Sequence, residues 1–195
     1  MYQNITRLIS TNYGTHRGFI RNLLAQIEFL LGRLDNYIQP DATRVNRLVF
    51  VCLGNINRSA FAENVAKSLG ANTCSIGLST QTGLPAFHMA VATATYYGFD
   101  LSHHQATDIT DYQFQEGDLL LAMEIRHVNK LIALGIPKES ISLLGYWATP
   151  IRIHLHDPHT LSEAYFKTCF SLINSAVLGL VTEMRTANSS CVNRD

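Results

Sequence analysis

The run Leu48-Val49-Phe50-Val51-Cys52 restricts the fold more than any other stretch of the chain. Five apolar residues in succession, without polar alternation, read as a strand buried on both faces. Such a strand belongs in a parallel sheet with helices on either side. Gly54 and Asn55 then make a short loop, and residues 60–69 read as a helix. Further strands are predicted at 73–78, 119–123 and 140–144, and helices at 85–98, 126–134 and 161–184. Pro85 suits the first turn of its helix. Gly135-Ile-Pro137 stops the next one. Residues 145–160 carry turn residues and no period, and are predicted as a loop. Strands alternating with helices predict an α/β domain, with right-handed crossovers.

Composition narrows the setting. A chain of 195 residues that is 47% hydrophobic can build one domain with a real core. Equal numbers of basic and acidic residues, 15 of each, argue against nucleic acid or an anionic membrane as the main partner. The cysteines, Cys52, Cys74, Cys169 and Cys191, form neither a C-x-x-C pair nor a zinc spacing. No secretory pattern is read at the start, and no window is expected to reach the ~18–20 uncharged apolar residues of a membrane span. A reduced, cytoplasmic setting is expected, and it suits a thiolate.

Residues 1–46 precede the predicted core. Positions 1–17 are polar and mixed, and are expected to be loosely ordered. From Gly18, the apolar residues Phe19, Ile20, Leu23, Leu24, Ile27, Leu30, Leu31 and Leu34 recur at helical spacing, and Pro40-Asp41 ends the pattern. An amphipathic helix of this kind packs on its own domain, pairs with a partner or a second copy, or lies on a membrane surface. Arg17, Arg21 and Arg33 permit the last use, and Glu28 and Asp35 dilute it. A homodimer through this helix is therefore one expectation. The polar tail at 186–195 is expected to fray. The domain plan is an N-terminal extension over 1–46, a core over 47–185 and that tail.

Cys52 falls at the carboxyl end of the first core strand, where open α/β sheets bind ligands. Alone, a cysteine there is usually a small buried hydrophobe. An arginine on a first helical turn is usually solvated and opposed by the helix dipole. The context favours function. Backbone N–H groups of the loop and the helix N-terminus would point at a tetrahedral anion. Arg58 would add a fork to two of its oxygens. Gly54 permits close backbone approach, Asn55 can hold a left-handed turn, and Ser59 can donate a hydrogen bond to a thiolate. The candidate loop is Cys52, Leu53, Gly54, Asn55, Ile56, Asn57, Arg58 and Ser59.

This loop resembles the C-x-G-N-x-C-R-S phosphate loop of the low-molecular-weight protein tyrosine phosphatases. The resemblance runs from about residue 47 to 185. Ser75-Ile-Gly77-Leu resembles the family's S-A-G-L/T segment. Gly98-Phe-Asp100-Leu-Ser-His-His104-Gln-Ala resembles G-I-D-L-S-x-H-x-A. Asp118-Leu-Leu-Leu-Ala-Met-Glu124 resembles D-L-I-L-x-M-D, with Glu for the final Asp. Asp157-Pro158 is similar to the family's late acid-proline pair, although an Asp-Pro taken alone is a common turn starter. The resemblance implies a flavodoxin-like, three-layer α/β/α domain with four parallel strands in the order 2-1-3-4. It implies Cys52 as a nucleophile that forms a phosphocysteine, Arg58 as the clamp on the equatorial oxygens, and Asp157 as acid and then base. Asn55 and Ser59 would support the loop. No metal and no organic cofactor is implied. The implied partners are a phosphotyrosine protein and, in the loop, inorganic phosphate or a similar oxyanion; nucleic acid is not among them.

Several positions depart from the family. Asn57 replaces the second loop cysteine, so Cys52 lacks that protective disulfide partner and is more open to irreversible oxidation. The aromatic walls of the substrate slot fall on His159 and Thr160 on one side and near Gln81 on the other. Phe87, Tyr146 and Trp147 are the aromatic reserves. Arsenate reductases of this fold need two more cysteines mid-chain, and residues 109–126 contain none. Arginine phosphatases carry Thr where Ile56 stands, and an aliphatic residue there favours phosphotyrosine. His154, His156 and His159 flank Asp157. No cysteine joins them and Asp157 is already employed, so they read as a surface loop whose charge shifts near pH ~6.5 rather than as metal ligands. His88, His103, His104 and His127 read as structural or exposed. Two alternatives stand: a phosphatase of another phosphomonoester or of phosphoarginine, and a phosphate-loop binding module without turnover. Retention of Cys52, Arg58, Ser59 and Asp157 argues against the module.

Overall fold

The computed structural model describes residues 2–192. Its centre is β1 (Arg47–Cys52), buried along nearly its whole length as its unbroken apolar run demands. The core continues through α3 (Arg58–Ser68), β2 (Thr73–Gly77), α4 (His88–Tyr96), β3 (Asp118–Ala122), α5 (Ile125–Ala133), β4 (Ile141–Leu143) and α6 (Glu163–Val192). All strand pairs are parallel and the order is β2-β1-β3-β4, as the resemblance implied. Cys52 stands opposite Gly77 of β2, and Val51 opposite Ala122 of β3. The chain leaves β1 towards one edge and later returns to its other side. Cys52 thus ends at the switch point, where the loops on either side part and leave a crevice.

Alternate residues of the strands feed two cores. Leu48, Phe50, Leu119 and Leu121 face α3, α4 and α6. Val49, Val51, Leu120, Ala122, Ile141 and Leu143 face Val128 and Leu131 of α5 and, from the N-terminal extension, Ala25 and Leu34. By length and composition residues 163–187 of α6 would pass for a membrane span, contrary to the sequence expectation that no window comes close. The helix is instead the spine of the first core: Phe166, Phe170, Ile173, Val177 and Leu180 are fully buried along it. Phe170 stacks on Phe61 with ring centroids 4.1 Å apart.

Both ends of the chain differ from expectation. Residues 2–17 are not loose: they form α1 (Tyr2–Tyr13) and enter α2 (His16–Leu30). Contacts with distant parts of the chain supply what the polar sequence lacks. Arg152 donates to the Asn12 carbonyl at 2.9 Å, satisfying the end of α1, and its guanidinium lies over the Tyr13 ring at 4.4 Å. Gly14 turns the chain with φ +76°, and Thr15 caps α2 by accepting from the Gly18 N–H at 2.9 Å. At the other end α6 continues through the expected tail to Val192. Thr186 and Ser189 fold their hydroxyls back onto the carbonyls four residues earlier, which keeps a polar stretch helical. Residues 193–195 lie outside the described residues.

The stripe on α2 points the opposite way from the packed reading. Its inner face is made by Gly18, Asn22 and Ala25. Ile20, Leu23, Leu24, Ile27 and Leu30, with Leu31 just beyond the helix, are all exposed, from 44% at Ile27 to 79% at Leu30. Small residues face inward because the space is tight: a Cβ on Gly18 would lie 2.8 Å from the His156 ring.

Candidate active site

The loop between β1 and α3 closes around the sulfur of Cys52. Ser59 Oγ is 2.9 Å from Cys52 Sγ, and the Asn55 N–H donates to the same sulfur at 3.2 Å. Asn55 makes the turn possible. It is fully buried with φ +52°, a left-handed conformation that asparagine tolerates better than most residues. Its amide donates to Ser59 Oγ at 2.9 Å and to Ser75 Oγ at 2.7 Å, and its side-chain oxygen accepts from the Thr107 N–H at 2.8 Å. Ser75 in turn donates to Glu63 at 2.5 Å. The Asn55 carbonyl lies 2.6 Å from His104 Nε2. His104, read from sequence as structural or exposed, is thus one of the pins of the loop. Gly77 is the floor beside it, where a Cβ would meet the Leu53 carbonyl at 3.0 Å.

Arg58 opens α3 and is completely buried, the largest such side chain among the described residues. Its Nη1 donates to Glu124 at 2.6 Å and to the Leu155 carbonyl at 2.9 Å, and its Nη2 lies 2.7 Å from Asp157 Oδ2. Its Nε is buried with no hydrogen-bond partner among the described residues, an unused donor in the cradle. Burial disfavours the arginine's charge, but Asp157, Glu124 and Cys52 outweigh it and hold the guanidinium protonated. The dipole objection to an arginine at this end is met by these two carboxylates.

Glu124, between β3 and α5, takes Arg58 on one oxygen, and Arg126 reaches both oxygens at 2.8 Å. Burial pushes its carboxyl up, and Arg58 and Arg126 bring it down, so the net shift is well below the ordinary range. Glu124 has no role that could be assigned from the sequence alone. The available signal was an acid placed directly after a fully buried apolar strand, at the same sheet end as Arg58. Asp157 is held in the same sense: burial raises it, and Arg58 together with the His159 N–H lowers it further.

The histidines around Asp157 diverge. His154 is buried with Nε2 3.7 Å from Glu124, His156 lies beside Thr15, and His159 is exposed. The expected surface loop titrating near neutrality is corrected for two of them. Burial pushes His154 down to about 4, and lowers His156 as well. His127 is also buried beside Glu124, and burial pushes it to about 3.

Around the mouth, His159 stands on the Asn57 side of the loop, with Nδ1 3.5 Å from the Asn57 amide. Its ring packs on Phe87 at 4.6 Å, and Phe87 is tied to the loop by its N–H donating to the Ile56 carbonyl at 3.0 Å. Gln81 is exposed and follows Thr80, whose methyl reaches Gly77. Tyr146 and Trp147 are not at the mouth. Tyr146 packs edge-on to Phe29, and Trp147 is buried and donates to Glu183. Phe87 is the one aromatic reserve that reaches the site.

Loop, thiol and buried arginine together define a protein built to hold a tetrahedral oxyanion above a cysteine sulfur. Comparison with known proteins agrees. The model of the low molecular weight phosphotyrosine protein phosphatase family matches residues 47–190. The low molecular weight protein-tyrosine-phosphatase Wzb of Salmonella typhi is 30% identical over 131 residues, covering 66% of this chain and 87% of its own. The solved structure of Vibrio vulnificus Wzb in complex with benzylphosphonate superposes with a TM-score of 0.63 at 26% identity, covering 71% of this chain and 99% of that one. The arginine phosphatase YwlE from Geobacillus stearothermophilus shares the fold, with a TM-score of 0.67 at 18% identity over 74% of this chain and 96% of its own. The chain belongs to the low molecular weight phosphotyrosine protein phosphatase family, and it is a phosphatase.

Proposed function

We propose that the chain hydrolyses phosphotyrosine and other aryl phosphate monoesters through a phosphocysteine intermediate. The contact between Arg58 and Asp157, together with a sulfur that accepts from the Asn55 N–H and lies 2.9 Å from Ser59 Oγ, carries this reading. A phosphate dianion entering the loop takes up the free Nε and the Nη2 edge of Arg58. Its charge offsets the guanidinium that holds Asp157 ionised, so the proton affinity of Asp157 rises when substrate is bound. Cys52 Sγ attacks phosphorus as the thiolate. The S–P bond forms, the P–O bond to the leaving group breaks, and the protonated Asp157 gives its proton to the leaving oxygen. A water then attacks the phosphocysteine and passes a proton to Asp157. The S–P bond breaks, the thiolate returns and phosphate leaves. Arg58 and the loop N–H groups hold the equatorial oxygens throughout, the electrostatic share of phosphoryl transfer.

The Phe87–His159 wall and the aliphatic Ile56 support an aryl leaving group over phosphoarginine. A working thiolate must stay reduced, which supports a cytoplasmic setting.

The test is hydrolysis of p-nitrophenyl phosphate and of phosphotyrosine, phosphoserine and phosphoarginine peptides, with EDTA present. Cys52→Ser should lose turnover, and Asp157→Ala should fall about 10²- to 10⁴-fold. Comparable rates in Cys52→Ser would overturn the mechanism, and a preference for phosphoarginine would overturn the substrate.

A further inference from the structure

The outer face of α2 is a surface without a cover. Six large aliphatic side chains line it: Ile20, Leu23, Leu24, Ile27, Leu30 and Leu31. At about 100° per residue they fall within one sector of the helix. A contiguous apolar strip of this kind exceeds the scattered exposure usual on a monomer and marks an interaction surface. The helix beneath it is anchored, with Thr15 against His156 at 3.3 Å and the Gln26 amide donating to the Ile151 carbonyl at 3.0 Å. The strip is therefore presented in a fixed orientation.

The charges beside the strip identify the occupant. Arg21 and Glu28 lie seven residues apart, about two turns, and so share one flank. Neither has an ion-pair partner among the described residues. When two copies of one helix pack antiparallel about a two-fold axis, residues of the same flank face each other. With the axis between Leu24 and Ala25, Arg21 meets Glu28 of the second copy, and Glu28 meets its Arg21. In the same register Ile20 falls between Ile27 and Leu30 of the second copy, so the aliphatic side chains interleave. The pattern is isologous, as a two-fold interface requires. A bilayer would accept the aliphatic strip but gives Glu28 no partner.

We propose that α2 is a self-complementary homodimer interface, occupied by the α2 of a second copy of this chain in antiparallel register, with paired Arg21–Glu28 contacts on the flank.

Sedimentation velocity on the full chain tests this, from ~1 to ~100 μM. The wild type should dimerise in that range. Arg21→Glu and Glu28→Arg each place like charges opposite one another twice, and each should weaken dimerisation about tenfold or more. The double variant Arg21→Glu/Glu28→Arg restores opposite charges and should return to near the wild-type constant. Leu24→Glu, at the axis, should give a monomer with an unchanged circular dichroism spectrum. A wild type that stays monomeric at the top concentration would overturn the proposal, as would a dimer indifferent to the charge swaps. Monomers that float with anionic vesicles of phosphatidylserine and phosphatidylcholine would also overturn it, and would assign the strip to a membrane surface.

Discussion

The side chains of Arg58 and Glu124 meet at 2.6 Å, and neither residue is exposed to solvent. A buried ion pair contributes little net stability, but removing one partner is costly because the other charge stays behind. Glu124→Ala should lower the unfolding free energy by about 3–5 kcal/mol, read from a urea titration. The freed guanidinium would lean further onto Asp157, so phosphate and substrate must displace a tighter contact. KM for p-nitrophenyl phosphate should rise with it. Glu124→Gln keeps the shape and one acceptor and should recover part of both effects.

His154 makes stability depend on pH. Its folded value is about 4, held down by burial, while an unfolded histidine titrates near ~6.5. Between those values the unfolded chain binds more protons. The contribution is complete above ~6.5 and is lost as pH falls towards 4. Going from about pH 7 to about pH 5 should cost about 2 kcal/mol through His154 alone. Thermal melts at pH steps across this range check it, and His154→Gln should flatten the slope.

Asn55 combines a left-handed backbone with three side-chain hydrogen bonds. Glycine keeps the backbone but loses the bonds, and alanine loses both. Asn55→Gly and Asn55→Ala should each weaken inhibition by inorganic phosphate. Alanine should be the less stable of the two by about 1–2 kcal/mol, the steric cost of a Cβ in this region. Equal stabilities would mean that the loop relaxes to another backbone conformation.

The Phe87–His159 wall should be read by substrate structure. Phe87→Ala should raise KM for aryl phosphates several-fold and leave kcat for a small alkyl phosphate near the wild type. A loss shared equally by both substrates would assign Phe87 to loop support instead.

The loop was legible because its chemistry is local: a strand, a glycine, an asparagine and an arginine in consecutive positions carry it. Asp157 could be placed only through the family resemblance, since its meeting with Arg58 joins positions 99 apart in the numbering. Residues whose role depends on burial were harder. His127 and His154 look like ordinary titratable side chains in sequence, and only their burial, against the pull of Glu124, makes them neutral core residues. The α2 pattern showed a helix but not which face it buries. Gly18, Asn22 and Ala25 decided that, because they make the face that packs inward. α1 was missed because its C-terminal end is satisfied by Arg152, far along the chain.

The clasp between Thr15 and His156 joins positions 141 residues apart. It has a consequence for the order of events during synthesis. The extension is synthesised well before the loop it grips. Until that loop is made, the inner face of α2 has the sheet to pack on through Ala25 but lacks this clasp, and its outer aliphatic side chains are available to chaperones or to other nascent chains. Contacts this distant in sequence are slow to form. The grip of the extension on the segment carrying Asp157 is thus among the later contacts to form.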